Sequence, residues 1–349
     1  MKKVLFYVIG LAFTLGFCVC IFLSYLRFSY VIVPFKQVAA YEMKLKVWQQ
    51  SGYFKFQPGT YDNPQMGVVY LINAEGFRGV TTKSDLKDAY SIIAFGESST
   101  MGIEVADDQT WPEQLNRRLV QNGLNNRVLN AGVGGINSLQ MLSLYQTELS
   151  ELKPKVVIYY AGRNDHGLGS GLTRFPGTAA WPQGFWHWFK QYLIFTKAKM
   201  SFYQYKLFGT QYLDFFPGVN PWVSHYKANL SKLIEQAKRD KTCFVIAQQM
   251  MPFEKKTIAY LKEQKYDQAR ASISVQDALW PELFRQVALF EAQAELAAKY
   301  QVPMVKLLSA PDFVSEGLFV DTVHLTAKGN QFIASHLAKE LPVVCANFH

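Results

Sequence analysis

Ser98 follows an apolar run, Ile92-Ile93-Ala94-Phe95, that ends abruptly in Gly96-Glu97-Ser98-Ser99-Thr100. The run's length and β-branching fit a buried strand, and the glycine permits a sharp turn. The hydroxyl residues stand where a helix starts and needs capping. A serine at such a strand-to-helix turn presents its hydroxyl at the open end of a sheet, beside backbone N–H groups without helical partners. That placement suits a nucleophile, but a neutral serine needs an adjacent base. Asp321-Thr322-Val323-His324-Leu325-Thr326 offers one. In a turn before a helix capped by Thr326, the carboxylate can hold one ring nitrogen of His324 while the other faces outward. Orientation of a general base by a carboxylate is the logic of a Ser-His-Asp triad.

The intervening chain alternates strand and helix signals. After the Ser98 turn, residues 108–122 place Trp111, Leu115 and Leu119 at helical spacing. Arg127-Val128-Leu129-Asn130 reads as a short strand entering the glycine-rich loop Ala131-Gly132-Val133-Gly134-Gly135. An amphipathic helix is expected over 138–152. A strand over Val156-Val157-Ile158-Tyr159-Tyr160 then enters Ala161-Gly162-Arg163-Asn164-Asp165. Further strands are expected at 243–247 and 304–308, after helices at 223–238 and 278–300, with a last helix from Thr326 to Leu341. Such alternation implies right-handed crossovers and a parallel sheet, with ligands collecting beyond the carboxyl ends of the strands. The loops at 96–100, 131–135 and 162–165 fall there.

Ahead of these elements, Lys2 and Lys3 precede an unbroken apolar run over 4–25, closed by Arg27. A helix of roughly 20 residues spans a bilayer. No small-x-small cleavage site follows, so an uncleaved transmembrane signal anchor over 1–27 is expected. The flanking lysines favour a cytoplasmic N-terminus, which leaves the remainder outside. Residues 28–88 read as a stalk and lead-in. Within it, 53–65 is expected to be irregular, 68–72 is strand-like, and Asn73-Ala74-Glu75-Gly76-Phe77-Arg78-Gly79 is a turn with an aromatic and a cation, Phe77 being read as a core plug. The catalytic region is 89–349. Residues 167–222 form an aromatic-rich insertion, read as a lid, a sugar-stacking platform, a membrane-dipping element or a helical subdomain with its own aromatic core.

The 349 residues are 49% hydrophobic and 15% aromatic, ample for a large core. The net charge of +9 comes from dispersed lysines and arginines without a nucleic-acid motif. It suits a merely soluble basic surface, or one facing anionic lipid or acidic glycan, rather than nucleic acid. Four cysteines are too few for a disulfide framework. Cys243 and Cys345 read as isolated buried thiols, with a bridge between them as the alternative. No spacing suggests a metal site.

The chain resembles an SGNH (GDSL-type) hydrolase, of the membrane-anchored bacterial envelope type. Gly96-Glu97-Ser98-Ser99-Thr100 matches the first block, with Glu97 for the usual aspartate. Asn130-Ala131-Gly132-Val133-Gly134-Gly135, Gly162-Arg163-Asn164-Asp165 and Asp321-Thr322-Val323-His324 match the others in order, and Trp111-Pro112 is a further family dipeptide. The resemblance covers residues 90–341 and implies a flavodoxin-like three-layer α/β/α fold. It assigns Ser98 as nucleophile, His324 as base and Asp321 as its orienting acid. Its oxyanion hole is the N–H of Ser98, the N–H of Gly135 and the Asn164 amide. Glu97, Arg163 and Asp165 become loop scaffolding, and no cofactor or metal is required.

The expectation is a periplasmic domain held in the cytoplasmic membrane by a single span. It would act as a serine esterase on O-acyl, chiefly acetyl, groups of an envelope carbohydrate. The rivals are a lipid esterase or lysophospholipase, an O-acyltransferase, and a catalytically idle scaffold in polysaccharide assembly. The implied partners are an acyl ester on glycan or lipid, the membrane through the N-terminal helix, and envelope-assembly proteins.

Overall fold

The computed structural model describes residues 10, 14–17, 19, 47–50, 52–63, 66–87, 89–166, 220–273, 280–309, 317–320 and 323–345. Most of the expected membrane anchor, nearly all of the aromatic insertion, and Asp321 lie outside the described residues. Among the described residues no helix is long and apolar enough to cross a membrane.

Five strands form the central parallel sheet. They are β5 (Tyr90–Gly96), β6 (Asn126–Gly132), β7 (Val156–Tyr160), β8 (Cys243–Ala247) and β9 (Met304–Val305), in the order β6-β5-β7-β8-β9. The first of these strands thus lies inside the sheet and the second at its edge, the flavodoxin-like order expected. Their apolar runs are continuous because both faces are covered. Ile92 and Ala94 pack on one side with Trp111, Leu115, Phe290 and Leu337, whereas Ile93 and Phe95 pack on the other with Met141, Tyr145, Leu230 and Ile234. Each such fully buried large side chain stabilises the fold by about 1.5–3 kcal/mol.

The covering helices are α2 (Trp111–Gln121), α3 (Ser138–Leu144), α4 (Asn220–Arg239), α7 (Trp280–Tyr300) and α8 (Ala327–Val344). A four-residue turn of helix, α1 (Ser98–Met101), opens directly from β5. The expected helix over 138–152 is α-helical only to Leu144 and continues as wider and then tighter turns to Leu152. Two short helices, α5 (Lys255–Lys262) and α6 (Tyr266–Ser272), were not foreseen.

The lead-in differs from its reading. Residues 53–65, expected to be irregular, contribute β2 (Phe54–Phe56) and β3 (Gly59–Asn63), which pair with β1 (Val47–Gln49) and β4 (Val68–Ile72) as antiparallel hairpins. Tertiary pairing overrides the local Gly, Pro and Asn signals here. The lead-in also packs onto the sheet domain: Tyr53, Phe56, Tyr70, Ile72 and Phe77 join the core on the Phe95 side. Phe77 is fully buried, as expected. Lys55 and Lys83 both pair with Glu148, at 2.8 and 2.5 Å. Cys243 and Cys345 are joined, with Cα atoms 5.9 Å apart. The isolated-thiol reading is therefore corrected: α8 brings Cys345, the residue that follows it, to the start of β8.

Candidate active site

Register sets the site. Gly96 pairs with Gly132 on β6 and with Tyr160 on β7, so three strands end at one level and their loops emerge together. A side chain on Gly132 would come within 2.3 Å of the Met101 backbone nitrogen, so only glycine lets α1 sit against β6. The described members of the expected triad meet here. His324 Nε2 lies 2.8 Å from Ser98 Oγ, although 226 residues separate them. Both side chains are partly open to solvent.

The serine turn is fastened from below. Thr100 donates to the Tyr160 carbonyl at 3.3 Å, and buried Ser99 donates to the Val323 carbonyl at 3.1 Å. Gln249, fully buried, donates in turn to Ser99 Oγ at 3.2 Å. The residue beside His324 is thus tied to the residue beside Ser98.

The histidine turn is a tight reversal. Phe319 and Leu325 bridge, and Val320 N–H donates to the His324 carbonyl at 2.8 Å. Thr326 caps α8 by accepting from Gly329 N–H at 3.2 Å, as expected. Buried Asn330 donates to the Thr326 carbonyl at 3.0 Å and accepts from Trp111 N–H at 2.9 Å, which fixes this turn to the start of α2.

A second wall carries Gly135 and Asn164, on the loops that follow β6 and β7. Gly135 adopts φ +88°, a left-handed conformation that glycine accepts without strain. Asn164 Nδ2 donates to the Ile136 carbonyl at 2.8 Å, which links the two loops. An amide carries two N–H donors, so one remains for a ligand. Phe54 of β2 faces Gly135, within van der Waals reach of where a side chain there would stand.

Glu97 is scaffolding, as expected. Its Oε1 accepts from the N–H groups of Gly162 and Asn164, each at 3.1 Å. Burial, with the nearby negative charge of Asp165, pushes its carboxyl up to about 8. Asp165 accepts from the Ser138 hydroxyl at 2.5 Å and from its N–H at 3.0 Å, and burial pushes it up to about 6 despite those bonds.

Sequence reasoning missed three contributors: Gln249, Arg78 and Glu104. Arg78, 2% exposed, binds Asp107 Oδ1 at 2.5 Å and donates to the Gly102 and Val105 carbonyls at 3.1 and 2.8 Å. Glu104 lies between those two residues, and its Oε1 stands 3.5 Å from His324 Nδ1. The cation in the Asn73–Gly79 turn was the one visible signal.

The chain belongs to the GDSL-like lipase/acylhydrolase family, whose model matches residues 94–332. It is similar to the esterase TesA of Pseudomonas aeruginosa, 31% identical over 77 residues. That match spans 22% of this chain and 38% of the esterase. Among solved structures it is similar to a lipase/acylhydrolase from Enterococcus faecalis, at 16% identity and TM-score 0.44, covering 74% of this chain and 98% of that one. It is also similar to the acetyl xylan esterase AlAXEase, at 15% identity and TM-score 0.43, covering 72% and 98%.

Proposed function

We propose that this protein is a serine esterase working through an acyl-Ser98 intermediate. The observation that carries the reading is the 2.8 Å contact between Ser98 Oγ and His324 Nε2, within the distance at which a general base takes a proton. As Ser98 Oγ bonds to the ester carbon, its proton passes to Nε2 and the carbonyl electron pair becomes an oxyanion. Donors for that charge are the N–H groups of Ser98 and Gly135 and the free N–H of Asn164. Collapse breaks the ester C–O bond, and Nε2 returns the proton to the leaving alkoxide. Water then releases the acyl group by the same steps, or a sugar hydroxyl accepts it. Asp321 is the orienting acid that the family resemblance implies.

The substrate reading is an O-acetyl ester of an envelope carbohydrate, met outside the cytoplasm. Two features support that location. The Cys243–Cys345 bridge is a bond of oxidising compartments, and the apolar N-terminal run behind Lys2 and Lys3 suits a periplasm-facing anchor. The rival lipid esterase differs in its dependence on acyl length. Fluorophosphonate should label the wild type and not Ser98→Ala, and acetyl esters should outrun butyryl, octanoyl and palmitoyl esters of one leaving group. Labelling that survives Ser98→Ala removes the nucleophile assignment. Rates rising steadily towards palmitoyl remove the glycan reading.

A further inference from the structure

We propose that Glu104 is a second positioning residue for His324, adding to Asp321 a carboxylate near Nδ1 that favours the tautomer and orientation Ser98 needs. The inference rests on the reading of His324 as base. If Ser98 donates to Nε2, the one proton of the neutral ring sits on Nδ1, and that atom faces Glu104 Oε1 at 3.5 Å. This is the spacing of an ion pair rather than of a tight hydrogen bond, and catalytic contacts in an empty site commonly shorten when substrate binds. The Glu104 side chain is 9% exposed, so its charge is poorly screened by water.

What separates Glu104 from a chance neighbour is how its loop is held. Arg78 grips the carbonyls on either side of it, Gly102 and Val105, while Asp107 anchors the guanidinium and also accepts from Leu71 N–H at 3.1 Å. Arg78 further stacks over the Tyr70 ring at 4.3 Å. The lead-in thus fixes the backbone on which the carboxylate stands. On its described side His324 faces Glu104 at Nδ1, with Arg78 and Asp107 behind that carboxylate, and Asp321, three residues earlier in the sequence, lies outside the described residues. As the ring becomes an imidazolium during proton transfer, a carboxylate at Nδ1 stabilises the new charge.

The test uses full-length protein and p-nitrophenyl acetate. Glu104→Gln keeps the shape and removes the charge. It should lower kcat by about tenfold or more with KM and Tm unchanged. It should also move the acid limb of the kcat profile down by about 1 pH unit, because the imidazolium loses a negative neighbour. Glu104→Asp, with the charge set back by one methylene, should keep the wild-type acid limb and lose less kcat. Wild-type kcat with an unmoved limb in Glu104→Gln overturns the proposal. If Glu104→Gln does not fold, Glu104→Asp decides: reduced kcat at wild-type Tm supports the proposal, and wild-type kcat overturns it. Wild-type protein that fluorophosphonate fails to label would remove the esterase reading itself. Normal labelling with an indifferent Glu104 would remove this inference alone.

Discussion

The two walls of the site are held by different chemistry. The wall proposed to bind the oxyanion rests on acids: Glu97 accepts from Gly162 and Asn164, and Asp165 accepts from Ser138. Behind the histidine turn the scaffold is neutral: Ser99 on the Val323 carbonyl, Gln249 on Ser99, and Asn330 between Thr326 and Trp111. The difference follows from what each wall presents. Uncharged donors gain from rigid acceptors behind them. A base proposed to become cationic in every turnover is better backed by groups that do not titrate with it, its compensating charge coming from the carboxylates proposed to orient it, Asp321 and Glu104.

Removing the donor itself tests the oxyanion wall most severely. Asn164→Ala should cost about 10²–10³-fold in kcat, the usual loss for one oxyanion donor, and should leave KM for acetyl esters near wild type. A loss in KM alone would make Asn164 a binding residue, and the two walls would no longer divide the work as described.

The next effect is on stability. Burial raises the Glu97 carboxyl to about 8, so the folded protein holds that proton more tightly than the unfolded chain does. Its contribution is therefore complete at low pH and is lost as pH rises towards the folded value. Between about pH 6 and pH 8 the wild type should lose on the order of 2 kcal/mol from this group. Glu97→Gln keeps an oxygen for both N–H donors and should flatten that slope in urea unfolding. An unchanged slope would show that the wall is not pH-sensitive through Glu97.

The smallest effect sharpens the contrast. Ser99→Ala removes two buried hydrogen bonds behind the histidine turn, to the Val323 carbonyl and from Gln249, and should cost about 1–2 kcal/mol. The cost should be equal at low and high pH, with most activity kept. A pH-dependent cost in Tm measurements would mean that the neutral wall is coupled to a titrating group.

Much of this arrangement was legible beforehand. Strands β7 and β8 have the bounds that their apolar runs indicated, because a doubly covered parallel strand needs an unbroken run. Ser98, Gly135, Asn164 and His324 were visible as blocks because each sits in a strand-end loop with restricted composition. Glu104 was not, since no local pattern tells that a loop carboxylate faces an imidazole far along the chain. Residues 53–65 were misread because their pairing partners, not their composition, make them strands. The pairing of Cys243 with Cys345 depended on where α8 ends, which spacing does not reveal.

That pairing changes the connectivity of the catalytic half. It closes a covalent ring over a separation of 102 residues, from β8 through α8, and His324 lies within it. A single proteolytic nick anywhere in the ring opens it without releasing a fragment, so the base stays joined to the strand beside β7. Such a ring lets a molecule cut once within it remain one covalent molecule for as long as the bond stays oxidised.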